Sequence, residues 1–107
     1  MGRSPKFSEP ALLVMISLAG GARHGYAVAD DIERLTGSRP GPGTLYGAVS
    51  RLVRAGLVAE DAADGRRRPY RLTPAGLALV RTEVQTMAAV SAEAQRRLRS
   101  MPQAGPA

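Results

Sequence analysis

The stretch TLYGAVSRLVRAGLVAEDAADGRRRPYRLT, residues 44–73, decides the fold of this chain. Leu45, Ala48, Val49 and Leu52 fall within one narrow arc at 100° per residue, so the stretch opens as an amphipathic helix. Gly56 stops it, and Leu57-Val58-Ala59-Glu60 reads as a strand. Asp64-Gly65 is a hairpin signal within a turn over 61–68. Pro69 to Leu72 returns as a second strand, and the proline marks an edge strand or a strand start. Helix, strand, arginine-tipped turn and strand, in that order, form the reading end of a winged helix-turn-helix. A polar helix face then lies beside a cationic hairpin, an arrangement suited to one groove of DNA and the adjoining backbone.

Upstream, Ser38 to Gly43 (SRPGPG) is a rigid turn that no helix crosses. Before it, a helix is expected from His24 or Gly25 to Thr36, with Gly37 as its terminating residue. Val28, Ala29, Ile32 and Leu35 share one face of it, while Asp30, Asp31, Glu33 and Arg34 fall elsewhere. A first helix follows a cap at Ser8, with Glu9 and Pro10 in its first turn, and Gly20-Gly21 end it. Leu12, Leu13, Val14, Met15, Ile16 and Leu18 are apolar on all sides, which predicts a helix covered on most of its surface. Residues 1–7 read as a loose arm carrying Arg3 and Lys6, and 102–107 as a second flexible tail.

Downstream, Thr73 caps a long helix that opens with Pro74. Leu77, Val80, Val84, Met87, Ser91, Ala94, Leu98 and Met101 alternate spacings of three and four, a heptad seam weakened at Ser91. Such a helix is about 40 Å long at ~1.5 Å per residue. A small winged core does not cover that length, so the seam is expected to meet a second chain. The expected organisation is a DNA-binding unit over 8–73 and a dimerisation helix over 74–101.

The totals agree with a nucleic-acid partner. The chain has 107 residues, 15 Lys+Arg against 9 Asp+Glu and a net charge of +6. That allows one modest core and favours a polyanion. The absence of cysteine excludes disulfides and thiolate metal sites, and one histidine argues against a histidine-built metal centre. The apolar run Ala11 to Ala19 is too short to span a bilayer and lacks the flanks of a signal peptide, which predicts a cytoplasmic protein with no membrane partner. Asp30 and Asp31 are adjacent, so on a helix they point about 100° apart, and no glycine turn carries the lysine of a phosphate-binding loop. Neither an enzyme nor a bound cofactor is expected.

Candidate contact residues follow from the helix geometry. Ser50, Arg51 and Arg54 lie opposite the Leu45/Val49/Leu52 stripe, with Thr44 and Tyr46 at the leading end. Arginine there suits guanine or phosphate equally. Arg51 also suits a salt bridge to Glu60 or Asp61. Arg66, Arg67 and Arg68 at the wing tip repel one another, which an anionic partner relieves. Tyr26 fits either the core or a phosphate contact, His24 a hydrogen bond at the helix start, and Tyr70 support for the wing. Lys6 is a candidate backbone contact from the arm.

His24-Gly25-Tyr26, Gly43-Thr44-Leu45-Tyr46, Arg51-Leu52, Gly56-Leu57-Val58, Gly65-Arg66-Arg67-Arg68 and Tyr70-Arg71-Leu72-Thr73 with Gly76 together resemble the PadR family of winged-helix transcription regulators. The resemblance covers roughly Ser8 to Val84. It implies a homodimeric DNA-binding protein, usually a repressor, joined through its first and last helices. One helix follows the wing, as in the compact subfamily. Some compact members bind flat aromatic compounds through interface aromatics; the long helix here has no Trp, Phe or Tyr.

The expected fold class is therefore mainly α with a small β-wing, and the expected function is a homodimeric repressor reading a pseudo-palindromic operator in double-stranded DNA. Two rivals stay open. One is a ligand-responsive sensor with a small-molecule effector pocket at the dimer interface, near Ala88, Ser91, Ala92 and Ala94. The other is a winged-helix protein-interaction module.

Overall fold

The four-residue apolar stripe of the third helix needs a cover, and the all-round apolar first helix provides it. The computed structural model describes residues 10–61 and 68–102; residues 1–9, 62–67 and 103–107 lie outside the described residues. The element order is α1 (Pro10–Leu18), α2 (Gly25–Thr36), α3 (Pro42–Arg54), β1 (Val58–Glu60), β2 (Tyr70–Leu72) and α4 (Pro74–Ser100). This is the mainly helical winged arrangement expected from the sequence. Helix α1 is the hub: Leu12, Val14, Met15 and Leu18 are buried against α2, α3 and α4. The expected cap at Ser8 lies outside the described residues.

Helix α2 packs through Val28, Ala29 and Ile32 and ends at Gly37, which adopts φ +82° and donates its N–H to the Glu33 carbonyl at 2.7 Å. That left-handed conformation is one a side chain disfavours. Two side chains depart from the expected facing. Leu35 sits on the packed row but in the last turn, beyond the cover of neighbouring elements, and is 52 % exposed. Asp31, expected with the solvent-facing acids, is only 7 % exposed. It lies at the edge of the stripe, is ion-paired with Arg34, and faces Ser17 and Arg23 across the α1–α2 contact. The Ser17 hydroxyl, then Arg34 and the charge of Arg23, hold its carboxyl below the usual carboxylate range against the opposing effect of burial.

Helix α3 buries Leu45, Ala48, Val49 and Leu52, chiefly on α1. Strands β1 and β2 pair antiparallel, with Val58 opposite Leu72, Ala59 opposite Arg71 and Glu60 opposite Tyr70. The α1–α2 connection adds a rung that the sequence did not suggest. Arg23 N–H donates to the Tyr70 carbonyl at 3.0 Å, and Tyr70 N–H to the Arg23 carbonyl at 2.8 Å. The start of α2 is thereby tied to the wing.

Helix α4 is anchored at its first turn. Thr73 Oγ1 accepts a hydrogen bond from the Gly76 N–H at 3.1 Å and donates to the Gly56 carbonyl at 2.7 Å. Gly76 lies so close to the β1 entry that a Cβ there would stand 2.0 Å from the Leu57 oxygen. Val80 is a correction to the seam: it is 5 % exposed and fills the core of its own chain, because the first turns of α4 must cover the other helices. Leu79 and Met87 pack partly against the same core. Past Met87 the helix continues to Ser100 with no buried residue.

Candidate nucleic-acid interface

With its stripe committed to the core, α3 turns Thr44, Tyr46, Ser50, Arg51 and Arg54 outward, and all five are exposed. Arg51 and Arg54 lie in the last turns, where the helix dipole favours cations. Neither makes an ion pair among the described residues. The alternative partners of Arg51 are engaged elsewhere: Glu60 stands 3.9 Å from Arg68, and Asp61 pairs with Arg71 at 2.5 Å. The two guanidinium groups of α3 are therefore left without a counter-ion among the described residues, and a neighbouring anion would supply one.

The wing supplies Arg68, whose loose contact with Glu60 is of the exposed kind that contributes little. Arg66 and Arg67, and Lys6 of the arm, lie outside the described residues. Tyr26 is 66 % exposed and so is not a core residue; the Arg39 guanidinium lies 5.8 Å from its ring centroid. Arg39 also holds Asp30 at 2.5 Å and Glu33 at 3.2 Å. Those two carboxylates raise its pKa further, Asp30 most. Their own charge, which would repel a polyanion, is offset at the edge of the α3 surface.

Between α2, α3 and the wing lies an open cleft of about 480 Å³, lined by His24, Gly25, Tyr26, Tyr46, Glu60, Arg68 and Tyr70. Tyr70 is half-buried. Burial first, then Glu60 and Tyr46, push its phenol pKa up, and Arg68 partly opposes them. It stays a neutral hydrogen-bonding group at physiological pH. His24 makes no capping bond to α2, contrary to the sequence expectation, and its Nδ1 is enclosed without a partner among the described residues. Residues 24, 46 and 70 meet only through the tertiary fold, so no local signal would have joined them.

The second candidate surface is the outer part of α4. Leu77, Val84, Ser91, Ala94, Leu98 and Met101 are exposed, and Met87 is half-buried. Val90, outside the heptad seam, is also exposed and widens the apolar band. With Ala89, Glu93, Ala94 and Arg97 it lines a shallow groove. Glu93 is fixed by Arg97 at 2.7 Å and by Arg96, so charge borders this band. No described helix is long and apolar enough to cross a membrane.

Comparison with known proteins places this geometry. Residues 12–82 match the Transcriptional regulator PadR-like family. An uncharacterised 37.1 kDa protein of transposon TN4556 from Streptomyces fradiae is 45 % identical over 84 residues, which are 78 % of this chain and 24 % of that protein. The transcriptional activator GvpE2 of Halobacterium salinarum is 35 % identical over 74 residues, 69 % of this chain and 37 % of that protein. The chain thus spans about a quarter of the length of the first relative and somewhat over a third of the second. Among solved structures, RosR of H. salinarum superposes with a TM-score of 0.70 at 30 % identity, covering 86 % of this chain and 84 % of that one.

Proposed function

We propose that this chain, which belongs to the PadR-like family of transcriptional regulators, works as a homodimer that reads a pseudo-palindromic operator and represses transcription by occupying it. Gene regulation, and not enzymatic chemistry, is the activity of that family. The observation that carries the proposal is the outward face of α3, where Ser50, Arg51 and Arg54 stand beside the wing and neither arginine has a counter-ion among the described residues. Each α3 would enter a major groove, with Thr44 and Tyr46 leading and Tyr26 toward the backbone. Arg68, with Arg66, Arg67 and Lys6, would neutralise phosphates beside it.

The dimer is supported by the apolar band of Leu77, Val84, Val90, Leu98 and Met101, which one chain leaves in water. On this reading 8–73 is the DNA-binding unit and 74–101 joins two copies, so that two-fold protein symmetry matches two half-sites. With DNA as its partner, the protein would work in the cytoplasm.

Repression is the simplest outcome, because occupancy alone excludes other proteins. Activation needs a further recruiting surface; the similarity to an activator, GvpE2, makes that the second reading. An effector site is favoured only by the α4 groove around Ala89 and Ala94, which a second chain would have to close.

Selection of bound duplexes from a random pool tests the proposal. It expects enrichment of a two-fold symmetric sequence whose half-sites lie about one helical turn, ~34–36 Å, apart or a multiple of that. Absence of enrichment would leave the protein-interaction module as the better account. A reporter placed behind the enriched sequence separates repression from activation.

A further inference from the structure

Gly25 opens α2 with ordinary helical backbone, so its lack of a side chain is not explained by conformation. It is explained by a neighbour. A Cβ at this position would stand 2.5 Å from Tyr46 Oη, 2.7 Å from Cε1 and 2.8 Å from Cζ. Carbon atoms in contact normally keep about 3.5–4.0 Å. Gly25 is itself buried, while Tyr46, the ring pressed against it, remains 45 % exposed. The hydroxyl end of a residue on α3 is thus seated against the first turn of α2, two elements that are otherwise only lightly packed on each other.

The surroundings say what that seat does. The first turn of α2 has no acidic side chain and no side-chain cap. Its leading N–H groups therefore have no partner within the helix and favour a negative charge. Tyr46 Oη lies at the same place, in the cleft shared with Tyr26, Arg68 and Tyr70. We infer that Gly25 is a positioning residue for DNA binding: by omitting a side chain it seats the Tyr46 ring against α2 and so fixes where the Tyr46 hydroxyl meets a DNA phosphate. The inference rests on the DNA-binding reading above. It adds a residue that touches no DNA and acts only through Tyr46. A purely helical role predicts the opposite result on substitution, since alanine is the better helix former and would leave affinity unchanged.

A double-mutant cycle tests it, with the full chain and a mixed-sequence duplex two helical turns long, at fixed low salt. Gly25→Ala is expected to weaken binding on the order of tenfold, the scale of one hydrogen bond to a charged group. Tyr46→Ala should weaken it by a similar factor, and Gly25→Ala/Tyr46→Ala no more than Tyr46→Ala alone. The salt dependence should not change in any of the three, because no cation is removed. Wild-type affinity in Gly25→Ala, or losses that multiply in the double variant, overturns the inference and leaves the DNA-binding reading intact. Failure of the wild-type chain to bind duplex overturns both. Should Gly25→Ala fail to fold, the double variant still folds because the colliding ring is gone, and it must then match Tyr46→Ala; a further loss overturns the inference.

Discussion

Helix α3 and the outer half of α4 both face water, and they do so with opposite chemistry. Helix α3 hides Leu45, Ala48, Val49 and Leu52 and shows serine and arginine. The outer α4 shows Val84, Val90, Leu98 and Met101 and has no buried residue beyond Val80. Exposure alone identifies neither surface. Hydrated cations without counter-ions among the described residues suit an anion that stays wet. Aliphatic side chains left in water suit another apolar face, at about 25 cal/mol for each Å² covered. On the proposed reading α3 serves DNA and the outer part of α4 serves a second copy.

The harshest way to break this comparison is to charge the apolar side. Val84→Asp with Leu98→Asp should dissociate the dimer, because two carboxylates per chain would have to be buried without partners. Sedimentation should show the mass halved; an unchanged mass would move the interface elsewhere. DNA affinity should fall as the half-sites cease to be bound in pairs.

Gly76 lies in the part of α4 that is anchored to its own chain. Gly76→Ala would force a Cβ toward the Leu57 carbonyl and should lower stability by about 1–3 kcal/mol, the usual scale for overpacking. Thermal unfolding of the two variants separates the regions: Gly76→Ala should lower Tm at every protein concentration. The Val84/Leu98 variant should lose the concentration dependence itself.

On the cationic side, replacing Arg66, Arg67 and Arg68 with Ala should weaken selected and mixed-sequence duplexes by similar factors. The slope of log K against log salt should flatten by roughly 0.9 for each phosphate that is no longer neutralised. An unchanged slope would place the wing off the DNA.

The smallest expected effect lies beneath both surfaces. The folded pKa of Asp31 is depressed, so its contribution is present above its unfolded pKa of about 3.9 and is lost as pH falls through the folded value. Asp31→Asn should therefore lower Tm at neutral pH, and its gap to wild type should close on acidification below about pH 4. A gap independent of pH would mean that packing, not charge, is what Asp31 supplies.

Much of this was legible before the fold. Periodicity located the helices, Gly37 and Gly56 their ends, and Thr73-Pro74 the start of α4. Periodicity gives the direction in which a side chain points, not what meets it there. Val80 shows this most clearly, since spacings of three and four look the same in an intramolecular core and in an intermolecular seam. Leu35 follows its stripe into a turn that no described element covers. Asp31 looked like a surface acid because Ser17 and Arg23, which accommodate it, lie on the preceding helix and loop. The α3 face was readable because a stripe of four apolar residues fixes the opposite side as well. The cleft was not, since His24, Tyr46 and Tyr70 are brought together only by the pairing of Arg23 with Tyr70 and the missing side chain at Gly25.

On the proposed reading α3 reads sequence while the wing only grips. The most direct test is the ratio of affinities for a selected duplex and a mixed-sequence duplex at one salt concentration. Ser50→Ala, Arg51→Ala and Arg54→Ala would be measured singly beside the wing variant. At least one α3 substitution should lower the ratio by about 1–3 kcal/mol, the scale of one side chain reading a base edge, while the wing variant should leave it unchanged. Equal weakening on both duplexes for all three α3 variants would contradict that reading, and specificity would then have to arise outside this helix.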